Sequence, residues 1–440
     1  MVAFNRMTGR AGSDRRVAIV AGARTPFVKM GGSLRDVHVS DLAKVAMQET
    51  LYRAHWPAER LDEVLLGNVV MPADATNLAR VAALWAGVPS NVPAMTVQRN
   101  CASGMEAIAD AASRIRQGQG HAILAGGAES MSTIPLLLPA ESMEPLSRVR
   151  RARTVWQKTA AVATLRPRHF KPVAALECGL TDPTCGLIMG KTAELLAQEF
   201  GISRREQDEF ALRSHQRAGE AEKAGRFAEE LVPVYAGDRF DPVTNDVGPR
   251  ASQSLDALAK LKPIFDRRDG SVTVGNSCQV TDGAATVLAM DEDVASTEGL
   301  APLGYVRAYA YAGLDPARMG LGPVYAIDQL LRATGLRLSD IPLFEINEAF
   351  AAQVLACLKA MASKSFAAEH LNRSDALGEI DPARLNVNGG AIALGHPVGA
   401  TGARLVLTLL LEMRRRDAEL GVAALCVGGG QGAAILLERR

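Results

Sequence analysis

From Val17 onward, hydrophobic residues fall into short unbroken runs separated by stretches in which they recur every three or four positions. The run Val17-Ala18-Ile19-Val20-Ala21-Gly22 predicts a buried strand, and Asp41 to Tyr52 predicts an amphipathic helix ending before the polar stretch around Pro57. Farther on, Met105, Ile108, Ala109, Ala112 and Ile115 share one helical face, and the strand Ala122-Ile123-Leu124-Ala125 and the break Gly126-Gly127 follow. The same succession returns near the end of the chain. Leu405, Val406, Leu409, Leu410 and Met413 form a helical stripe, then Val422-Ala423-Ala424-Leu425 a strand, then come the glycines 428 to 430.

A helix, a strand and a glycine break occurring twice imply two similar α/β halves facing each other, with a site between them. Ser132 to Asn276 departs from the alternation: it holds a basic stretch, a long helix from about Arg204 to Gly225, and prolines at 233, 242 and 249. The expected division is therefore a first half from 1–131 with 277–298, an insertion over 132–276, and a second half over 299–440, broken near Gly299 to Pro302. The 440 residues, 48% hydrophobic, suffice for two or three domains with sizeable cores. Forty-nine basic residues nearly cancel 48 acidic ones, so no global field argues for nucleic acid or an acidic partner. The six cysteines (101, 178, 185, 278, 357 and 426) show neither a C-x-x-C pair nor metal-like spacing, which predicts reduced thiols and no metal site. No apolar run approaches the length of a membrane span, and the N-terminus lacks the apolar core of a secretory signal. Met1 to Arg16, basic with the single acid Asp14, reads as an arm, with a short targeting peptide as the alternative.

The residues that open or close the repeated units carry the chemistry. Cys101, in Asn100-Cys101-Ala102-Ser103-Gly104, stands just before a helix, where free amides and the helix dipole favour thiolate. Gly104 lets chain or substrate approach closely, and the competing reading is a buried structural cysteine. His396, in Gly395-His396-Pro397-Val398-Gly399, has little apolar surface to pack against and reads as a general base; the alternative is a histidine hydrogen-bonded in a turn. Cys426 ends a strand and opens Val427-Gly428-Gly429-Gly430-Gln431-Gly432, whose open amides can set an oxyanion-binding N–H beside a thiol, although a tight turn explains the glycines equally well. Asn347 and Glu348 lie at a predicted strand-to-helix junction, where Asn347 can orient a water and Glu348 can support a loop or a histidine; helix capping by Asn347 competes. Leu146 to Lys171 has eight Lys or Arg and no acid, with Val149, Val155, Trp156, Val162 and Leu165 interleaved. That pattern suits a solvated face, contact with anionic lipid, or a dock for a phosphate-bearing substrate. Two cysteines and a histidine on tight backbone make covalent acyl chemistry the leading function.

Together with Ala21-Gly22-Ala23-Arg24-Thr25-Pro26-Phe27, these motifs resemble the thiolase family in the family's order across nearly the whole chain. The resemblance implies an α/β thiolase fold, two βαβ-rich halves in five αβαβα layers, with an inserted loop domain that holds coenzyme A. It implies Cys101 as the acylated nucleophile, His396 as its base, Cys426 as the second acid/base, and Asn347 as the holder of a water that binds the thioester oxygen with His396. The amides of Cys101 and Gly428 would form the second oxyanion hole, and Met189, Ser277, Cys278 and Phe350 would contact substrate or CoA. Met189-Gly190-Lys191-Thr192-Ala193-Glu194 is similar to the loop-domain motif, but Ile188 stands where short-chain acetoacetyl-CoA thiolases commonly have histidine. Asn276 to Gly283 and the placement of the basic insertion look like the beta subunit of the fatty-acid oxidation trifunctional complex, whose hairpin associates with membranes.

The implied activity is that of a 3-ketoacyl-CoA thiolase: CoA-dependent cleavage of 3-ketoacyl-CoA to acetyl-CoA and a shortened acyl-CoA in β-oxidation, ping-pong through acyl-Cys101. The resemblance further implies coenzyme A as substrate with no permanent cofactor and a homodimer or homotetramer. It also implies a hydratase/dehydrogenase alpha subunit as partner, peripheral membrane contact through 146–171, and a cytoplasmic location, mitochondrial if eukaryotic. The rival readings are an acetoacetyl-CoA thiolase working in the biosynthetic direction, a ketoacyl synthase that uses acyl carrier protein and has no need of Cys426, and a non-catalytic acyl-CoA or lipid-binding relative.

Overall fold

Strands buried on both faces, as runs such as Val17 to Gly22 require, must be covered by helices on each side. In the computed structural model, which describes residues 8–9 and 15–440, this happens twice over. The first half comprises β1 (Val17–Arg24), α1 (Val39–Ala54), β2 (Glu63–Gly67), α2 (Leu78–Trp85), β3 (Ala94–Val97), α3 (Ser103–Arg116) and β4 (Ala122–Glu129). An insertion carries α4 (Met143–Arg151), α5 (Val155–Val162), α6 (Met189–Glu199) and α7 (Arg204–Lys223). The chain then re-enters the first half as β5 (Thr281–Asp291). The second half runs β6 (Gly304–Gly313), α8 (Gly322–Thr334), β7 (Leu343–Ile346), α9 (Ala351–Ala362), α10 (Val398–Arg416), β8 (Leu420–Val427) and β9 (Gln431–Glu438). Most of the basic N-terminal stretch lies outside the described residues, but its last two members are tied down: Arg15 to Asp291 at 2.9 Å and Arg16 to Glu292 at 2.7 Å.

The strands hydrogen-bond in the order β7-β8-β9-β6-β1-β5-β4-β2-β3. The halves join through a short antiparallel ladder in which Gly304, Tyr305 and Val306 face Ile19, Ala18 and Val17. On either side of that join the pairing repeats: β2 is parallel to β4 and β7 to β8, while β4 is antiparallel to β5 and β8 to β9. The first half's edge strand β3 has only a single bridge, Phe344 to Leu385, as its counterpart.

Side-chain alternation then builds the layers. Val17 and Ile19 of β1, with Ala423 and Leu425 of β8, bury against Met105, Ile108, Leu405 and Leu409, so α3 and α10 form one helical layer between the two half-sheets. The intervening residues face outward. Ala18 and Val20 pack under Leu42 and Met47 of α1, whereas Val422 and Ala424 pack under Val324 and Ile327 of α8. The result is helix, sheet, helix, sheet, helix.

The insertion has two characters. Ala193 and Leu196 of α6 and Phe210 of α7 join the outer core of the second half. The helix α7 ends close to the expected position and starts with a capping box between Ser203 and Glu206. Arg24 of β1 pins the insertion through Glu230 at 2.6 Å and Asp246 at 2.7 Å, a buried cluster in which one guanidinium is shared by two carboxylates. By contrast, α4, α5 and the hairpin pairing Leu136–Leu137 with Val173–Ala174 leave Leu136, Met143, Val155 and Trp156 exposed. Among the described residues, no helix is long and apolar enough to cross a membrane.

Candidate active site

The repeat puts Cys101 and His396 in corresponding places, each two residues ahead of a central helix: α3 begins at Ser103 and α10 at Val398. Two glycines let those helix starts touch. A Cβ on Gly104 would lie 2.8 Å from the Gly399 carbonyl oxygen, and one on Gly402 would lie 2.3 Å from the Met105 nitrogen. Close backbone contact therefore draws the thiol loop of one half toward the imidazole loop of the other. Asn100, at φ +42°, makes the sharp turn into α3; its amide donates to the Gly428 carbonyl at 2.8 Å, and Ser103 Oγ donates to the Asn100 carbonyl at 2.7 Å.

Cys101 opens onto a cavity of about 190 Å³ whose walls include Val69, Val70, Met189, Val398 and Gly428. The Gly428 amide points at the Cys101 sulfur, while Cys278 and Cys426 are close enough for their thiols to feel its charge. Burial pushes the Cys101 thiol up, against the opposing pull of the Gly428 amide. The expected resting thiolate is thus corrected: desolvation outweighs the helix start, and the proton must leave to a base. Burial first, then the neighbouring thiols, also hold Cys426 well above the ordinary thiol range, so it rests as S–H.

His396 has the opposite charge preference. Burial, reinforced by the Arg404 guanidinium, lowers it to about 3, so the ring is neutral and able to accept a proton. Thr401 Oγ1 donates to the Pro397 carbonyl at 2.9 Å and is 2.6 Å from His396 Nδ1. With its own hydrogen committed, Thr401 accepts from Nδ1–H, which assigns the free lone pair to Nε2. That atom faces Asn347 Nδ2 at 3.4 Å.

Asn347 does not cap the following helix: the N-cap of α9 is Phe350, with no side-chain cap. Glu348 supports a loop and not the histidine, accepting from Ser214 Oγ at 2.6 Å, Asn386 Nδ2 at 2.8 Å and the Ile392 amide at 3.2 Å. Of the expected substrate contacts, Met189 lines the cavity and Cys278 sits beside Cys101. Ser277 and Phe350 bridge to each other, Ser277 Oγ donating to the Thr273 carbonyl at 2.7 Å and Phe350 meeting the edge of Phe265. Sequence reasoning passed over Thr401, although a threonine one turn into the helix that follows His396 is a readable signal. It also passed over Asp182, which sits on the cavity wall; hydrogen bonds from Thr184 and the Gly429 amide hold its carboxyl below the usual range. Among the described residues no cluster could hold a metal ion, and all six cysteines are free.

The layered halves, meeting over a thiol and an imidazole, place the chain among enzymes of acyl transfer. The thiolase N-terminal domain matches residues 17–293 and the thiolase C-terminal domain matches residues 300–439, so the chain belongs to the thiolase family. It is 42% identical over 424 residues to a 3-ketoacyl-CoA thiolase of Yersinia enterocolitica, covering 96% of this chain and 97% of that one. It is 41% identical to a 3-ketoacyl-CoA thiolase of Salmonella choleraesuis over the same shares. Among solved structures, the Bacillus anthracis acetyl-CoA acetyltransferase superposes with a TM-score of 0.85 at 39% identity, covering 97% of this chain and 99% of that one. Human mitochondrial 3-ketoacyl-CoA thiolase superposes with a TM-score of 0.84 at 36% identity and the same coverage, and its complex with CoA gives 0.83.

Proposed function

We propose that the protein cleaves 3-ketoacyl-CoA with free CoA, yielding acetyl-CoA and an acyl-CoA shortened by two carbons. The observation that carries this reading is a protonated Cys101 thiol on the cavity with the Gly428 amide aimed at its sulfur, a second thiol, Cys426, close enough to feel its charge, and a neutral His396 on the loop that the close backbone contact of Gly104 with Gly399 draws toward the Cys101 loop. Cys101 gives its proton to His396 Nε2 and attacks the 3-keto carbon. The C2–C3 bond breaks, its electrons pass to the acetyl-CoA carbon as an enolate, and Cys426 S–H protonates that carbon. The proton on His396 returns to the Cys426 thiolate; free CoA then gives its thiol proton to the neutral imidazole and attacks acyl-Cys101, and the departing Cys101 thiolate takes that proton as the shortened thioester is released. Asn347, with a water it orients beside His396, and the amides of Cys101 and Gly428 serve the two developing oxyanions.

The same reading assigns residues 132–276 to a loop domain that holds CoA, between a first half of 1–131 with 277–298 and a second half of 299–440. Met189, Ser277, Cys278 and Phe350 contact substrate or CoA. Coenzyme A is a substrate and not a resident cofactor. A homodimer or homotetramer, an alpha subunit supplying hydratase and dehydrogenase, and membrane contact through 146–171 complete the proposal, the last supported by the exposed Val155 and Trp156. The test is CoA-dependent cleavage of 3-ketoacyl-CoAs of graded length, where parallel double-reciprocal lines for the two substrates are expected. Intersecting lines, as for a ternary complex, would overturn the acyl-Cys101 intermediate.

A further inference from the structure

The internal repeat extends to residues that the proposed chemistry leaves unassigned. Gly67 pairs with Gly127 across β2 and β4, and Ile346 pairs with Ala424 across β7 and β8. Counting on from those pairs, Asn68 corresponds to Asn347 and Glu129 to Cys426. Glu129 is fully buried at the end of β4, yet four N–H groups donate to its carboxylate. Its Oε1 accepts from Asn68 Nδ2 at 3.0 Å and the Val70 amide at 3.1 Å. Its Oε2 accepts from the Val69 amide at 2.9 Å and the Gly399 amide at 3.1 Å.

Those donors belong to two separate walls. Val69 and Val70 line the Cys101 cavity, as does Val398, the first residue of α10. Gly399 is the second residue of α10, three after His396, and α10 has no side-chain cap of its own. A carboxylate from the first half therefore completes a helix start in the second. The fit leaves no slack: a Cβ on Gly399 would lie 2.9 Å from Glu129 Oε2 and 2.7 Å from the Ala128 carbonyl oxygen.

We propose that Glu129 is a positioning residue for thiolysis, the first-half counterpart of Cys426, whose carboxylate fastens the helix start that carries His396 to the cavity wall beside Cys101. Cys426 reaches from the second half toward the thiol loop, and Glu129 reaches from the first toward the imidazole loop. This rests on the assignment of Cys101 and His396 as nucleophile and base. Four N–H donors converge on two carboxylate oxygens, so a neutral amide of the same shape turns an acceptor into a donor and repels at least one of them. The His396 loop then loosens, and displacement of a base by a fraction of an ångström slows proton transfer without altering CoA contacts.

The experiment compares wild type with Glu129→Gln in thiolysis of a 3-ketoacyl-CoA and in alkylation of Cys101 by iodoacetamide. Expected are a kcat lower by about 10- to 100-fold and a KM for CoA within about twofold. Alkylation should slow together with kcat, because the protonated Cys101 must pass its proton to the same displaced base before it reacts. A folded variant with unchanged kcat, or with a loss confined to KM, overturns the proposal. Should Glu129→Gln fail to fold, Asn68→Ala, which withdraws one donor and leaves the three backbone amides, should lower kcat several-fold, and an unchanged kcat there overturns it equally. Absence of thiolysis in wild type would instead refute the nucleophile and base assignment, so the two failures are distinguishable.

Discussion

Cys426 decides between two acyl-transfer reactions that one fold can support. A condensing enzyme that generates its enolate by decarboxylation has no use for a second thiol, whereas cleavage next to a thioester leaves a carbanion that must be protonated. Burial and the neighbouring thiols keep Cys426 as S–H, the form a proton donor needs. Cys426→Ser should lower thiolysis by about 10²- to 10⁴-fold, the usual worth of a general acid, while iodoacetamide still labels Cys101. Unchanged turnover would exclude the proton-transfer role. His396 makes a second prediction, about stability. Folded His396 resists protonation until about pH 3, whereas the unfolded residue takes its proton near 6.5. As pH falls through 6.5, the unfolded chain binds a proton that the folded chain refuses, so stability declines from there toward pH 3. Glu129, raised to about 7, and Glu345, raised to about 8, act oppositely above 4.5, since folding holds their protons longer. A comparison with His396→Asn isolates the histidine: between about pH 7 and pH 5, the urea midpoint of wild type should fall relative to that of the variant. Equal slopes would mean that His396 takes up its proton over the same pH range folded as unfolded. Cys101, His396 and Cys426 were legible because each sits where an element meets glycine. Asn68 and Glu129 were not, because the role of each arises from partners assembled by folding, 270 positions away in the pairing of Glu129 with Gly399, whereas the partners of Thr401 lie within five residues of it.

At the scale of elements, the crossing of α3 and α10 sets the distance between the nucleophile loop and the base loop. The helix Val398–Arg416 carries Gly402 where it meets the Met105 backbone, and no side chain fits there. Gly402→Ala should destabilise the protein by about 1–3 kcal/mol in urea unfolding, through overpacking that exceeds the small helix-propensity gain of alanine. Because the two loops ride on these helices, kcat should fall as well. A variant as stable and active as wild type would show that the crossing does not govern the site. Helix positions were readable from periodicity: Asp41 to Tyr52 became Val39–Ala54, and Arg204 to Gly225 became Arg204–Lys223. Strand order was beyond that reading, since runs such as Ala122–Glu129 are apolar on both faces and do not reveal which neighbour they pair with. The repeat supplied the missing information, because two like halves must pair alike, and the exception at Leu385 falls on an edge where pairing is least constrained.

For the whole molecule, a net charge of +1 hides a strong local imbalance. The insertion gathers Arg148, Arg150, Arg151, Arg153 and Lys158 next to Val155 and Trp156, which are 79% and 85% exposed. A monomeric surface rarely leaves such residues uncovered, and their combination with cations matches an interfacial helix that seats aromatic side chains among anionic headgroups. Trp156 reports on this directly in a Trp85→Phe background, since Trp56 is buried and Trp85 is half-exposed. With vesicles containing phosphatidylserine, tryptophan emission should shift to the blue and the protein should co-sediment. Both effects should weaken at about 1 M salt, where the screening length falls to roughly 3 Å. Changing Arg150, Arg151 and Arg153 to Gln should weaken vesicle binding while thiolysis of a short 3-ketoacyl-CoA continues, because these side chains lie outside the cavity wall. Equal binding to neutral vesicles would indicate a purely apolar contact, and no shift with either would leave the hairpin to a protein partner. The insertion supplies both one wall of the cavity, through Leu176 and Met189, and this hairpin, whose strand pair contains Leu136 and Leu137. Vesicle binding should therefore raise the apparent affinity for long 3-ketoacyl-CoAs more than for short ones, and chain-length profiles with and without vesicles measure that difference.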